Sequence, residues 1–163
     1  MHTKIVPATQ IRTALEILQN GGVVAFPTDT VYGLGALAFD NAAIESIYAA
    51  KDRPLEKAIP VLIGEITDLL KIVDDFPKMA RVLTTRFWPG PLTCILPKKQ
   101  TLPAAISATS TVAIRLPDHG EARALLRSAG PMAVTSANIS GGTSPITAQE
   151  VYKQLNGRIP LIL

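Results

Sequence analysis

Apolar positions along this chain follow two rhythms, and their alternation predicts the elements. Thr3 to Val6 is short and β-branched and reads as a strand. Ile11, Leu15 and Leu18 then recur at helical spacing until Gly21-Gly22 stops the helix. Val23 to Phe26 is a continuous apolar run ahead of Pro27, the pattern of a buried strand. Residues 28–35 read as loop, and Ala36 to Phe39 as a further strand. Asp40 or Asn41 caps a helix carrying Ala43, Ile44, Ile47 and Tyr48. A charged, proline-broken segment runs from Lys51 to Lys57. Ile59 to Ile63 then reads as a strand, with Pro60 marking an edge or the strand's start.

Residues 65–73 and 77–88 read as two helices, the second opened by Pro77. Trp88-Pro89-Gly90-Pro91 is a rigid turn, because its prolines forbid a helix. Leu92 to Leu96, Val112 to Leu116 and Met132 to Thr135 read as strands. Helices are expected over 119–129 and 147–155, with a polar loop over 136–146 between strand and helix. Ile159 to Leu163 is apolar on both faces and reads as a buried strand. Strands and helices alternate, which predicts an α/β domain with one mixed, largely buried sheet flanked by helices.

Composition narrows the class. Of 163 residues, 47% are apolar and 18% charged, too apolar for a disordered chain and enough for one core. No apolar run approaches the roughly 18 residues of a membrane helix, and Met1-His2-Thr3-Lys4 does not read as a secretory signal. One cysteine, Cys94, excludes an internal disulfide framework and suggests a reducing compartment. With only His2 and His119, a His/Cys metal site is not expected. The net charge of +3 permits an anionic partner without demanding one. The dinucleotide fingerprint, the P-loop and the Gly-x-Ser-x-Gly elbow are all absent.

Several segments carry candidate chemistry, each with a plain structural alternative. Pro27-Thr28-Asp29-Thr30-Val31-Tyr32-Gly33-Leu34-Gly35 offers hydroxyls, a carboxylate and close backbone approach, or is simply a capped turn. Lys51, Arg53 and Lys57 bring three cations together. In an extended stretch Lys51 and Arg53 share one side, which suits a polyphosphate clamp, or a solvated patch partnered by Asp52 and Glu56. Arg115, at a strand end with Thr111 before it, needs an anionic partner, either a ligand or a nearby carboxylate. Thr135-Ser136-Ala137-Asn138-Ile139-Ser140-Gly141 can present hydroxyls and amides to an anion, or form a long Asx/Ser turn. Trp88 to Thr93 reads as a structural corner, and Cys94 as a small buried hydrophobe.

Taken in order, these segments resemble the YrdC-like family, and within it the threonylcarbamoyl-AMP synthases. The matching residues are Gly21-Gly22-Val23-Val24-Ala25-Phe26-Pro27-Thr28-Asp29-Thr30-Val31-Tyr32-Gly33-Leu34, Lys51-x-Arg53-x-x-x-Lys57, Trp88-Pro89-Gly90-Pro91-Leu92-Thr93, Arg115-x-Pro117 and Ser136-Ala137-Asn138-x-Ser140-Gly141. The resemblance covers essentially the whole chain and implies a twisted α/β sheet with a basic concave face. It implies a cytoplasmic nucleotidyltransferase that joins L-threonine, bicarbonate and ATP, the last with Mg²⁺, into threonylcarbamoyl-adenylate and pyrophosphate. The product serves tRNA threonylcarbamoyladenosine modification, so tRNA and its modifying proteins are indirect partners. By this resemblance Lys51 and Arg53 are catalytic. Thr30, Arg115 and Ser136 bind threonine, and Arg53, Lys57, Thr111 and Asn138 bind the nucleotide.

Two departures accompany the resemblance. Ala58 stands where the family has a proline. The family also continues through an Asp-Gly-Gly segment, a Ser-Thr strand and a nucleotide-reaching Arg. Residues 1–163 are therefore expected to be one YrdC-like domain without the family's C-terminal segment, with weakened ATP binding. A non-catalytic RNA-binding module is the competing expectation, although aromatic residues at 5% disfavour base stacking.

Overall fold

The computed structural model describes residues 2–163, so Met1 lies outside the described residues. Eight strands form one mixed sheet. They are β1 (Lys4–Ile5), β2 (Val24–Phe26), β3 (Gly33–Leu37), β4 (Val61–Leu62), β5 (Cys94–Pro97), β6 (Thr111–Arg115), β7 (Met132–Ser136) and β8 (Leu161–Ile162), in the spatial order β1-β8-β2-β3-β7-β4-β6-β5. β1, β8 and β2 run parallel, as do β4 and β6; the remaining neighbours are antiparallel. The helices are α1 (Ile11–Gln19), α2 (Asn41–Lys51), α3 (Leu69–Ile72), α4 (Lys78–Phe87), α5 (Gly120–Ala129) and α6 (Ala148–Leu155), with a 3-10 turn at Ile66–Asp68 leading into α3. The mixed α/β sheet with flanking helices is the fold the sequence predicts. Among the described residues, no helix is long and apolar enough to cross a membrane.

Strand alternation divides the core into two layers. Ala25, Leu34, Ala36, Val61, Ala133 and Ile162 face one layer, against Ala43, Ile44 and Ile47 of α2 and Val151 and Leu155 of α6. Val24, Phe26, Leu62, Met132, Val134 and Leu161 face the other, against Ala14 and Leu18 of α1 and Ala122, Leu125 and Leu126 of α5. Local signals start the helices where the sequence expects them. The Asp40 side chain accepts the Ala43 amide at 3.0 Å, and Thr147 with Glu150 forms a capping box on α6.

Three sequence expectations are corrected. The 28–35 loop is shorter than expected, because β3 begins at Gly33 and ends at Leu37. Glycine is what lets this strand pass bulky neighbours: a Cβ on Gly35 would lie 2.9 Å from Met132 Cε and 3.0 Å from Phe26 Cε1. Pro60 marks a strand start and not an edge, since β4 lies between β7 and β6. Lys51 is not in an extended stretch with Arg53. It closes α2, seven residues after Ile44 and four after Ile47, and so falls on that helix's buried face.

Candidate active site

A cavity of about 350 Å³ opens where the sheet face that carries α1 and α5 continues past those helices. Its floor is Gly33, Leu62 and Val134, neighbours across β3, β4 and β7. Its polar walls come from four places. The loop after β2 gives Thr28, Thr30 and Val31, and the end of β7 gives Thr135 and Ser136. The segment between α2 and β4 gives Arg53, Ala58 and Pro60. Thr93, ahead of β5, and Arg115, the last residue of β6, complete it. Strand register explains the convergence: Arg115 pairs with Leu62, and Ser136 pairs with Gly33.

Backbone bonds hold the surrounding loops together. The Tyr32 amide donates to the Pro145 carbonyl and the Ala137 amide to the Tyr32 carbonyl, both at 2.8 Å. Within the first loop, the Thr28 hydroxyl donates to the Val31 carbonyl at 2.6 Å and lies 3.2 Å from the Thr30 hydroxyl. That local turn aims two hydroxyls at the cavity.

Arg115 is the most constrained cation of the site. Nε donates to the Gly90 carbonyl at 3.1 Å and Nη1 to the Thr30 hydroxyl at 3.1 Å, while Nη2 donates to Asp29 Oδ1. Both partners of the Arg115–Asp29 pair are only 13% exposed. The nearby-carboxylate reading of Arg115 therefore holds, and the Trp88-Pro89-Gly90-Pro91 turn acts as the bracket that aims the guanidinium. Three of the five guanidinium N–H groups are committed, which leaves two for an anion.

Arg53 is turned out from α2 by Asp52, whose left-handed backbone (φ 51°) ends the helix and whose carboxylate accepts Arg158 Nη1 at 2.7 Å. Arg53 Nε donates to the Lys57 carbonyl at 3.2 Å and Nη2 to the Ala58 carbonyl at 2.9 Å, which orients the guanidinium along the cavity wall. Three of its N–H groups remain.

Lys51 takes a different position. It is 1% exposed, and its ammonium donates to the backbone carbonyls of Ser136 and Asn138. Burial, and secondarily the Arg53 guanidinium, pushes it down to about 8. Lys51 therefore ties the Ser136–Asn138 loop to α2 from beneath and does not line the cavity.

Of the residues singled out in the sequence, the structure brings Thr30, Arg53, Arg115 and Ser136 together around one cavity. Lys57 is exposed and outside its lining. Thr111 lines a neighbouring depression of about 180 Å³ that shares Ala58 with the main cavity. Asn138 is buried, and its amide donates to the Ile139 and Gly142 carbonyls at 2.8 Å, closing its own loop. Thr28 and Thr135, expected only as members of candidate loops, line the cavity, while Thr93, read as part of a structural corner, and Asp29 as the partner of Arg115 were missed. The Thr28-x-Thr30 spacing and the carboxylate between them were the available signals.

The chain belongs to the Sua5/YciO/YrdC family: the family model, described as telomere recombination, matches residues 16–163. Two curated relatives are named threonylcarbamoyl-AMP synthase. The one from Bacillus subtilis is 47% identical over 92% of this chain and 44% of its own length, and the one from Pyrococcus abyssi is 42% identical over 94% and 46%. A solved structure of P. abyssi Sua5 complexed with L-threonine superimposes with a TM-score of 0.92 at 40% identity, covering 99% of this chain and 48% of that one. The chain thus spans about half the length of these relatives.

Proposed function

We propose that this chain carries the threonylcarbamoyl-AMP synthase reaction, a nucleotidyl transfer joining L-threonine, bicarbonate and ATP. The observation that supports it best is the cavity itself, where two guanidinium groups with spare donors, Arg53 and Arg115, face hydroxyls over an apolar floor. That set suits a small hydroxy-amino acid beside a polyphosphate. Its kinship with proteins of that name, and with one complexed with L-threonine, supports the same reading.

The chemistry asks the protein for placement and charge neutralisation. The threonine nitrogen adds to the carbon of carbon dioxide, which bicarbonate yields by losing hydroxide, and the amine gives up a proton. A carbamate oxygen then attacks the α-phosphorus of ATP, the bond to the bridging oxygen breaks, and pyrophosphate leaves with the electron pair. Arg115 offers its two spare N–H groups to the threonine carboxylate, with Thr30 and Ser136 beside it. Arg53 neutralises the phosphates. The nucleotide extends over Ala58 toward Thr111. Lys51 and Asn138 act as positioning residues for the Ser136–Asn138 loop. Among the described residues, no three His, Cys, Asp or Glu side chains gather, so Mg²⁺ is assigned to the ATP phosphates as part of the substrate. The product would pass to tRNA-modifying proteins in the cytoplasm.

Calorimetry with each ligand separately tests the assignment. Arg115→Ala is expected to weaken L-threonine by about tenfold or more and ATP much less, the tenfold being about 1.4 kcal/mol. An equal effect on both, or an effect on ATP alone, contradicts the placement of threonine at Arg115.

A further inference from the structure

The buried face of α2 carries two polar tips. Ile44, Ile47, Tyr48 and Lys51 fall at i, i+3, i+4 and i+7, and all four are buried. Lys51 meets the Ser136 and Asn138 carbonyls. Tyr48 is 4% exposed, and its hydroxyl lies 2.7 Å from the Ala105 carbonyl and 3.0 Å from the Lys57 carbonyl. One proton serves two acceptors, so the hydroxyl bridges two separate segments. Burial pushes its pKa above the ordinary tyrosine value, with the Arg53 guanidinium pulling the other way, so at neutral pH it keeps the proton it donates.

The Lys57 carbonyl is also where Arg53 rests. Its two lone pairs take the Tyr48 hydroxyl and Arg53 Nε, the latter at 3.2 Å. Residues 54–58 around that carbonyl are exposed, and among the described residues the hydrogen bonds that reach them from outside the segment come from Arg53 and Tyr48. Ile59 fixes the far end, buried and donating its amide to the Ile106 carbonyl at 2.8 Å. Between that end and α2, Arg53 is itself the group to be placed, so the anchor is Tyr48, whose ring is packed in the core. A second tie runs through the main chain, where the Tyr48 carbonyl accepts the Arg53 amide at 3.0 Å. The bond to Ala105 extends the brace to the loop that continues into Ser107, Thr109 and Thr111, which line the depression beside the cavity.

We infer that Tyr48 is a positioning residue for Arg53: its hydroxyl fixes the Lys57 carbonyl against which the guanidinium is set, and so holds that cation where the nucleotide phosphates lie. The inference rests on the assignment of the ATP phosphates to Arg53. Tyr48 does not line the cavity, so it acts through this arm alone. The threonine side is independent of it, because Arg115 is held by Gly90, Thr30 and Asp29, none of which bonds to the Tyr48 hydroxyl.

Calorimetry on the whole chain tests it, with Mg·ATP and L-threonine titrated separately into wild type, Tyr48→Phe, Arg53→Ala and the double variant. Phenylalanine keeps the ring and its packing and removes only the hydroxyl. Tyr48→Phe is expected to weaken Mg·ATP about threefold or more and to leave L-threonine within about twofold. In the Arg53→Ala background the same change is expected to cost nothing further, because it acts through the guanidinium that is already gone. Unchanged ATP affinity in Tyr48→Phe, equal weakening of both ligands, or losses that add in the double variant would overturn the inference. Wild-type ATP affinity in Arg53→Ala would instead remove the assignment of the phosphates to Arg53, and the inference with it.

Discussion

A buried lysine ammonium is costly unless acceptors meet it, and Lys51 meets two backbone carbonyls of the site loop. Lys51→Met should therefore destabilise the protein by roughly 2 kcal/mol at neutral pH, by orphaning those carbonyls. Its pH dependence carries a sign. Between about 8, where the folded protein releases this proton, and 10.5, where the unfolded chain does, the unfolded state binds more protons. Stability of the wild type must then rise with pH relative to Lys51→Met, by at most about 1.4 kcal/mol per pH unit. Denaturant titrations of both proteins from pH 7 to 10.5 check this, and a difference that shrinks as pH rises contradicts it.

Arg53 belongs to another class. Arg53→Ala should leave the melting temperature within a few degrees and cost on the order of 2 kcal/mol or more in transition-state stabilisation. Near-wild-type turnover would remove Arg53 from the site. Thr30, Arg53, Arg115 and Ser136 were legible because they stand in segments that resemble the family's motifs, and Arg115 also because it closes an apolar strand. Lys51 was misplaced because the charged, proline-broken run it opens reads as an extended segment and not as the last turn of α2. Only its spacing from Ile44 and Ile47 shows that it faces inward. The bond from Asp29 to Arg115 spans β2–β3 and β6, and local spacing carries no trace of such a pairing.

At the scale of elements, β3 makes a sharp test. Gly35 passes between Met132, Phe26 and Val134, and a methyl group there would meet all three within 3.1 Å. Gly35→Ala should cost about 1–3 kcal/mol by overpacking. Gly120→Ala, where a Cβ meets nothing within 4 Å at the start of α5, should be neutral or stabilising by about 0.5 kcal/mol. Thermal unfolding of the pair separates packing from backbone entropy, and equal effects would contradict the close approach at β3. The same crowding explains why β3 was partly hidden. Gly33-Leu34-Gly35 has turn composition, and only the neighbouring strands show why glycine is needed in a strand there. Helices with caps were legible to within a residue or two, because Asp40 and Thr147 are local signals. Strand order was not, since pairings such as β8 between β1 and β2 join the two ends of the chain.

For the whole molecule, the two-layer core leaves part of one sheet face uncovered, and Thr30, Arg53, Arg115 and Ser136 gather there. α1 packs over β2 and β3, α5 lies beside it with its last turn against Gly64 after β4, and the loops after β2 and α2 wall the remainder. The fold thus builds a recess from strand ends without spending a catalytic nucleophile, which suits a reaction that depends on placing threonine, carbon dioxide and ATP. In the proposed reaction all three reactants meet at this cavity, with the nucleotide reaching past Ala58. Pyrophosphate release, measured with purified protein in reactions lacking one component at a time, tests it most directly. Release is expected with L-threonine, bicarbonate and Mg·ATP together, and is expected to be lost when any one is omitted or when Arg53 is replaced by alanine. Release that ignores threonine or bicarbonate, or none at all alongside tight, salt-sensitive RNA binding, would contradict it.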